Sequence, residues 1–469
     1  MKKHLFLFGL AALLFVACDN KEETTERDRE KARQDSINTN IKVDKCIYDI
    51  MSDYYLWNNH MPRYKRNDDR YPADFFEDLL YDREDKWSFI SDDSESLNDE
   101  LAGSPFSMGF SPQFWYYNDK ENVLIMVEYV YPGSPAERAG LKRGDIILDV
   151  DGEAMTPDNY YELYSKEQAT YTLGAYDALK NELSMGADLT MKAEKIKADP
   201  SVYDTIYTVG SQKVGYYVYT AFATDHSYYA SMDAVFDRFK AAGVKDLILD
   251  LRYNGGGDVD AAGHLASSIA PAGVVSNHDV LVTYVYNSLL TEYFNEEGKE
   301  DELLYRFPDN SHNADMENLY VLVTEGTASA SELVTIGLKP YMNVKLIGTN
   351  TYGKYTGMFV FDSTIEGLED LENWALLPVC MKYANSQGFT DFGDGLVPDY
   401  EVVDNLIDAY PFGDANDPML ATALDIIGGQ PITAKAARIQ PFKLAGRNRS
   451  IVGNNLIIKH PALKKMAEN

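Results

Sequence analysis

Three short apolar runs constrain what this 469-residue chain can fold into. Leu247–Leu251 (LILDL), Leu319–Val323 (LYVLV) and Val344–Ile347 (VKLI) are too short for core helices and nearly continuous in large apolar side chains. Strands covered on both faces read this way, because neither face carries the polar half of an alternating pattern. A fourth run, Val214–Val218, precedes an amphipathic stretch at Ser231–Ala242, and Leu319–Val323 leads directly into a helical pattern that ends near Leu338. Strands alternating with helices imply a mostly parallel, covered sheet.

The segment before this region has another texture. Val123–Val130 reads as a strand. In the run that follows, YPGSPAERAGLKRGDIILDVDG (131–152), Ser134 caps a short helix, Pro135 suits its first turn and Glu137 completes a capping box. Gly140 ends that helix, Gly144-Asp145 turns into the strand Ile146–Val150, and Thr156-Pro157 opens another helix through Tyr164. This order of elements, with its Pro-Ala-x-x-Ala-Gly-Leu-x-x-Gly-Asp-x-Ile core, resembles a PDZ domain in the permuted form of bacterial peptidases. Ser107-Met108-Gly109-Phe110 stands where such a domain places its carboxylate-binding loop. The resemblance therefore implies that Met108, Gly109 and Phe110 hold a peptide's terminal carboxylate while the peptide adds a strand to the sheet edge. Read alone, Gly109 also fits an ordinary turn.

The chain ends differ from both regions. Lys2 and Lys3 precede an apolar stretch, Leu5–Val16, too short to span a bilayer, and Phe15-Val16-Ala17-Cys18 resembles the bacterial lipobox. Residues 1–17 are thus expected to be a lipoprotein signal peptide and Cys18 the lipidated first residue, anchoring the protein to the cell envelope at the periplasmic face or outer surface of an outer membrane. A plain secretory signal with a chance cysteine is the alternative. Residues 18–40 hold almost no apolar side chains and read as a flexible acidic tether. Residues 41–102, with Cys46, Ile47, Ile50, Met51, Tyr54 and Tyr55 at helical spacing and a second short helix around Phe75–Leu80, read as a small helical region. The PDZ region spans 103–196, the α/β core 197–430 and a basic tail 431–469. That tail holds eight Lys or Arg against one acid, while the whole chain carries a net charge of −31. A field of that sign repels phosphate backbones and argues against nucleic acid as partner. Packing of the tail against the acidic body is the expectation. Cys46 and Cys380 are read as small hydrophobes, with no metal-ligand spacing around them.

A serine becomes a nucleophile only when a base takes its proton. The junction Thr327-Ala328-Ser329-Ala330-Ser331-Glu332 places serines where a strand enters a helix, and unpaired N–H groups at a helix N-terminus favour a developing oxyanion. Taken locally, plain helix capping is the favoured explanation of these serines. None of the seven histidines sits in a motif that pairs with them. Lys354, in the uncharged stretch GTNTYGKYTG after an apolar strand, serves instead if burial disfavours its charged form.

Together, LILDLRYNGGG (247–257), TASASE (327–332), TYGKYTG (351–357) and GDGLVPD (393–399), in this order behind the PDZ-like run, resemble the C-terminal processing, or tail-specific, serine peptidases. Asp85-Lys86-Trp87-Ser88 resembles a short segment that precedes the PDZ domain in that family. The likeness covers residues 41–430. It implies a crotonase/ClpP-like peptidase core, Ser329 as nucleophile, Lys354 as base, and an oxyanion hole from the N–H groups of Ala330 and Gly256. It further implies no cofactor, and protein or peptide substrates with free C-termini. The chain departs from the family at Gly255, where proline is common, and at Met358, where a glutamine often steadies the lysine. A backbone group or the Thr356 hydroxyl is then expected to hold Lys354. A non-catalytic PDZ-type binding lipoprotein on a degenerate peptidase scaffold stays open as the alternative, with Met358 as its support.

Overall fold

The computed structural model describes residues 26–65, 70–432, 442–447 and 456–458. The signal segment and Cys18 lie outside them. Helix α1 (Glu26–Tyr54) opens the described chain, so the tether expected over 18–40 is helical from Glu26 onward. Few apolar side chains rule out a core but not a helix, because oppositely charged residues alternate along this stretch at spacings that support helical ion pairs. The later turns of α1 bury Val43, Ile47, Ile50, Met51 and Tyr54. These side chains belong to one core cluster with Phe359, Phe361 and Leu376 of the α/β half, and the Tyr54 and Phe361 rings meet at 4.9 Å. Phe89–Ser91 pairs antiparallel with Ala375–Leu377. The N-terminal helices are thus built into the α/β body.

The PDZ region is an antiparallel sheet of strands β1 (Phe110–Tyr117), β2 (Asn122–Val130), β3 (Ile146–Val150), β4 (Gln168–Asp177) and β5 (Glu182–Lys192), paired in that order. Helix α2 (Pro135–Ala139) carries the expected N-cap, Ser134 accepting the Glu137 N–H, and ends at Gly140 with φ +89°. Helix α3 (Tyr160–Tyr164) packs over a separate core that includes Phe110, Phe114, Leu163 and Tyr171.

In the α/β half, β6 (Ser201–Val209), β7 (Gln212–Tyr219), β8 (Asp246–Asp250), β11 (Asn318–Val323), β12 (Asn343–Gly348) and β15 (Tyr400–Glu401) form one sheet in the order β6-β7-β8-β11-β12-β15. All its pairs are parallel except β6–β7. A second sheet joins β9 (Gly257–Asp258), β17 (Leu456–Ile458), β13 (Thr356–Phe359), β14 (Val379–Asn385) and β10 (Val280–Tyr286). Its β13–β14 and β14–β10 pairs are antiparallel, its β9–β17 and β17–β13 pairs parallel. Parallel pairing is therefore concentrated in one sheet and does not dominate the molecule. The sequence expectation rests on four runs that all fall in that sheet, as its strands β7, β8, β11 and β12. The basic tail supplies β16 (Lys443–Arg447) to the free edge of β1 in the PDZ sheet, and β17 to the second sheet.

Arg143, leaving the PDZ sheet, fixes it to the α/β half. Its guanidinium donates to Glu128 O at 2.8 Å, Tyr410 O at 3.1 Å and Asp404 Oδ1 at 3.2 Å. It also lies 5.0 Å from the ring centre of Tyr253, the residue that leads into the Asn254–Gly257 turn.

Candidate active site

Strand β11 ends at Val323, and α4 (Ala330–Leu338) starts seven residues later, with Ser329 at its N-cap. Thr327 Oγ1 donates to Leu251 O at 2.8 Å and Ala328 N to Asn254 O at 3.1 Å, which staples this turn to the end of β8. Ser329 holds φ +58°, ψ −112°. A side chain in that left-handed region carries strain of roughly 1–3 kcal/mol, which only a surrounding network sustains. Ser329 is fully buried, and its hydroxyl makes no hydrogen bond. The Ser331 hydroxyl, by contrast, donates to Asn254 O at 2.9 Å. The two serines are thereby distinguished: one is structural, the other has a free hydroxyl at a helix N-terminus.

Glu332 supplies the network. It is fully buried, and its Oε2 accepts the N–H of Ser329 at 2.8 Å and of Lys354 at 2.9 Å. Its Oε1 accepts the N–H of Gly353 at 2.7 Å and the Thr351 hydroxyl. Burial pushes the Glu332 carboxyl up to about 7, against these four donors, which favour the charged form. Tyr383 adds a second tie: its hydroxyl lies 3.0 Å from Ser329 O and 2.7 Å from Lys354 O. Sequence reasoning assigned neither residue a role. Glu332 was signalled by its Ser-x-x-Glu spacing, whereas no local pattern marks Tyr383.

Lys354 is fully buried, and burial pulls its ammonium down to about 7, against the pull of the Asp85 and Glu332 carboxylates. The local sequence around Lys354 held no carboxylate; the fold brings both. Asp85 is in turn held by the N–H groups of Trp87 and Ser88, each at 2.9 Å, and by the Tyr55 hydroxyl at 2.8 Å. The Thr356 hydroxyl, expected to steady the lysine, makes no hydrogen bond. Met358, expected to be unable to, places its Sδ 3.7 Å from Lys354 Nζ. A thioether is a weak acceptor, so it orients the amine without much favouring the ammonium.

Gly256 sits against the serine: a Cβ there would lie 2.8 Å from Ser329 Cβ and 2.9 Å from Ala330 N. Its φ of +111° adds a second demand for glycine. Its N–H donates to Asn254 Oδ1 at 2.9 Å. Ala330, the first residue of α4, is at a position whose N–H has no intrahelical acceptor.

In the PDZ loop, Met108, Gly109 and Phe110 are buried, and Gly109 has φ +84° with its N–H donated to Ser107 Oγ at 2.8 Å. A Cβ at Gly109 would come within 2.2 Å of Ser134 Cβ, so close packing as well as φ requires glycine. A cavity of about 650 Å³ is lined by Met108, Phe110 and Tyr164 of the PDZ region and by Gly255, Gly326 and Tyr352 of the catalytic loops.

The PDZ-like sheet and the loops beside the strand-to-helix serine thus face one cavity. Residues 213–402 match the model of peptidase family S41, residues 42–89 that of the S41 N-terminal domain, and residues 126–169 that of a PDZ domain. A probable CtpA-like serine protease of Staphylococcus aureus is 27% identical over 377 residues, 79% of this chain and 66% of the relative's own length. Its Staphylococcus haemolyticus counterpart is 23% identical, over 77% of this chain and 64% of its own. Among solved structures, a putative S41 protease from Bacteroides fragilis superposes with a TM-score of 0.66 at 28% identity, covering 82% of this chain and 97% of that one.

Proposed function

We propose that the protein is a serine endopeptidase in which Ser329 attacks the scissile carbonyl and Lys354 takes its proton. One observation carries this reading. A strained, buried serine with an unbonded hydroxyl shares a carboxylate with a lysine that burial holds near pKa 7. An amine with that pKa is substantially neutral at physiological pH and accepts a proton without first shedding one. The Ala330 N–H, together with the Gly256 N–H once it exchanges Asn254 for substrate, stabilises the oxyanion. The parallel sheet with the site at the carboxyl end of its strands supports a crotonase/ClpP-like core. The Met108-Gly109-Phe110 loop delivers protein tails by adding them to β1, and Cys18 carries a lipid that holds the protein in the cell envelope. Cleavage of an unstructured protein with an apolar C-terminus, compared between the intact protein and Ser329→Ala, tests the catalytic reading. Equal cleavage by both overturns it.

A further inference from the structure

The edge of β1 that a peptide would join is already taken. Residues 443–447 pair antiparallel with β1, Lys443 opposite Tyr116, Leu444 opposite Trp115, Gly446 opposite Phe114 and Arg447 opposite Gln113. On its other side β1 pairs with β2. A sheet edge accepts one strand at a time, at a spacing of about 4.8 Å. We infer that residues 443–447 are a tethered ligand of the PDZ groove, which an incoming peptide must displace. This rests on the proposed reading of that edge as a peptide-binding one.

Three further observations favour a displaceable ligand over a permanent strand. The first is polarity. Antiparallel to β1, the tail runs from Tyr116 toward Gln113 and so toward the Met108–Phe110 loop, as a peptide with its C-terminus in that loop must run. The second is weak attachment. The pairing is interrupted by a bulge between Leu444 and Gly446. Lys443 is exposed; within the strand Ala445 joins the groove core of Phe110, Phe114 and Tyr164, while Phe442, just before the strand, packs on Tyr176 outside the groove. Burying one methyl contributes only about 0.8 kcal/mol. The third is the anchor. Ile457, in β17, is fully buried between β9 and β13, opposite Asp258 and Met358. A released strand therefore stays close to the groove and competes at a high local concentration. The same cavity that reaches Gly255 and Tyr352 is lined by Leu444, Ala445 and Gly446. The strand thus lines the space that joins the PDZ edge to the loops beside the serine.

The test uses the full chain carrying Ser329→Ala and a short fluorescein-labelled peptide with a free apolar C-terminus. Adding Ala445→Glu, which sets a charge against Phe114, should tighten peptide binding about tenfold by removing a competitor tethered at high effective concentration. A second measurement needs no tail variant. In hydrogen exchange on Ser329→Ala, saturating peptide should strip protection from the amides of 443–447 and leave that of 456–458 unchanged. Peptide binding with equal affinity to both proteins, or with 443–447 still protected, overturns the tethered ligand while leaving the PDZ reading intact. Failure of any free-ended peptide to bind either protein overturns the PDZ reading, and the inference with it.

Discussion

The backbone N–H of Ser329 and that of Lys354 donate to the same oxygen atom, Glu332 Oε2, at 2.8 and 2.9 Å. The serine turn and the lysine loop, far apart in sequence, therefore share one buried acceptor. Their spacing is set by a carboxylate.

Glu332→Gln puts an amide where four donors converge. Its single oxygen serves at most part of them, and its NH2 group faces the rest. Unpaired buried donors cost about 1–3 kcal/mol each, so a loss of roughly 2–4 kcal/mol is expected in urea unfolding. Misplacing either reacting group by about 1 Å lowers kcat on the order of a hundredfold. Wild-type kcat in a folded Glu332→Gln protein would show that this carboxylate does not align the pair.

The two serines should separate in a paired experiment. Ser329→Ala removes a hydroxyl without partners and should abolish turnover at unchanged Tm. Ser331→Ala breaks the bond to Asn254 O and should cost about 1 kcal/mol of stability while keeping measurable turnover. The reverse pattern would assign the nucleophile to Ser331.

Lys354 couples activity and stability to pH with a defined sign. Its ammonium titrates near 7 when folded, against 10.5 ordinarily. Between these values the unfolded chain binds more protons, so stability rises with pH across that window. The full penalty, on the order of 5 kcal/mol, is present below pH 7 and gone above about 10.5. Turnover should rise with pH through a midpoint near 7. Lys354→Met should be inactive, yet more stable than wild type at pH 6 and nearly equal at pH 10. A Lys354→Met protein no more stable than wild type at pH 6 would show that the lysine is not held neutral by burial.

Met358→Gln tests what the thioether contributes. A carbonyl oxygen in place of Sδ, now 3.7 Å from Lys354 Nζ, accepts from the ammonium more strongly and favours the charged form. The pH–rate midpoint should then move upward by about one pH unit. An unchanged midpoint would mean that residue 358 does not reach the amine in solution.

Much of this site was legible before any coordinates. Ser329, Ala330, Lys354 and Gly256 are drawn together because short apolar runs and a Gly-rich turn define where strands end, and the reacting groups sit at those ends. The groups that hold them were harder to read. Glu332 looks like a helix cap, Tyr383 is one aromatic in an apolar strand, and Asp85 reaches Lys354 from a distant segment. Long-range contacts of that kind leave no periodicity. The helix from Glu26 was missed for a different reason: a scarcity of apolar side chains was read as lack of order, although helix needs only one buried stripe further along. The tail was expected to pack by charge and instead pairs by backbone, which composition does not encode.

Helicity from Glu26 also fixes a length. If lipid is attached at Cys18, only eight residue steps separate it from α1, and an extended chain covers at most ~28 Å in that span. A coil running to residue 40 would have allowed roughly 75 Å. The leash is short, and the catalytic half is packed directly onto α1. On that lipid-anchored reading the outer turns of α1 extend the leash as a rigid spacer, and the serine works within a bounded distance of the bilayer.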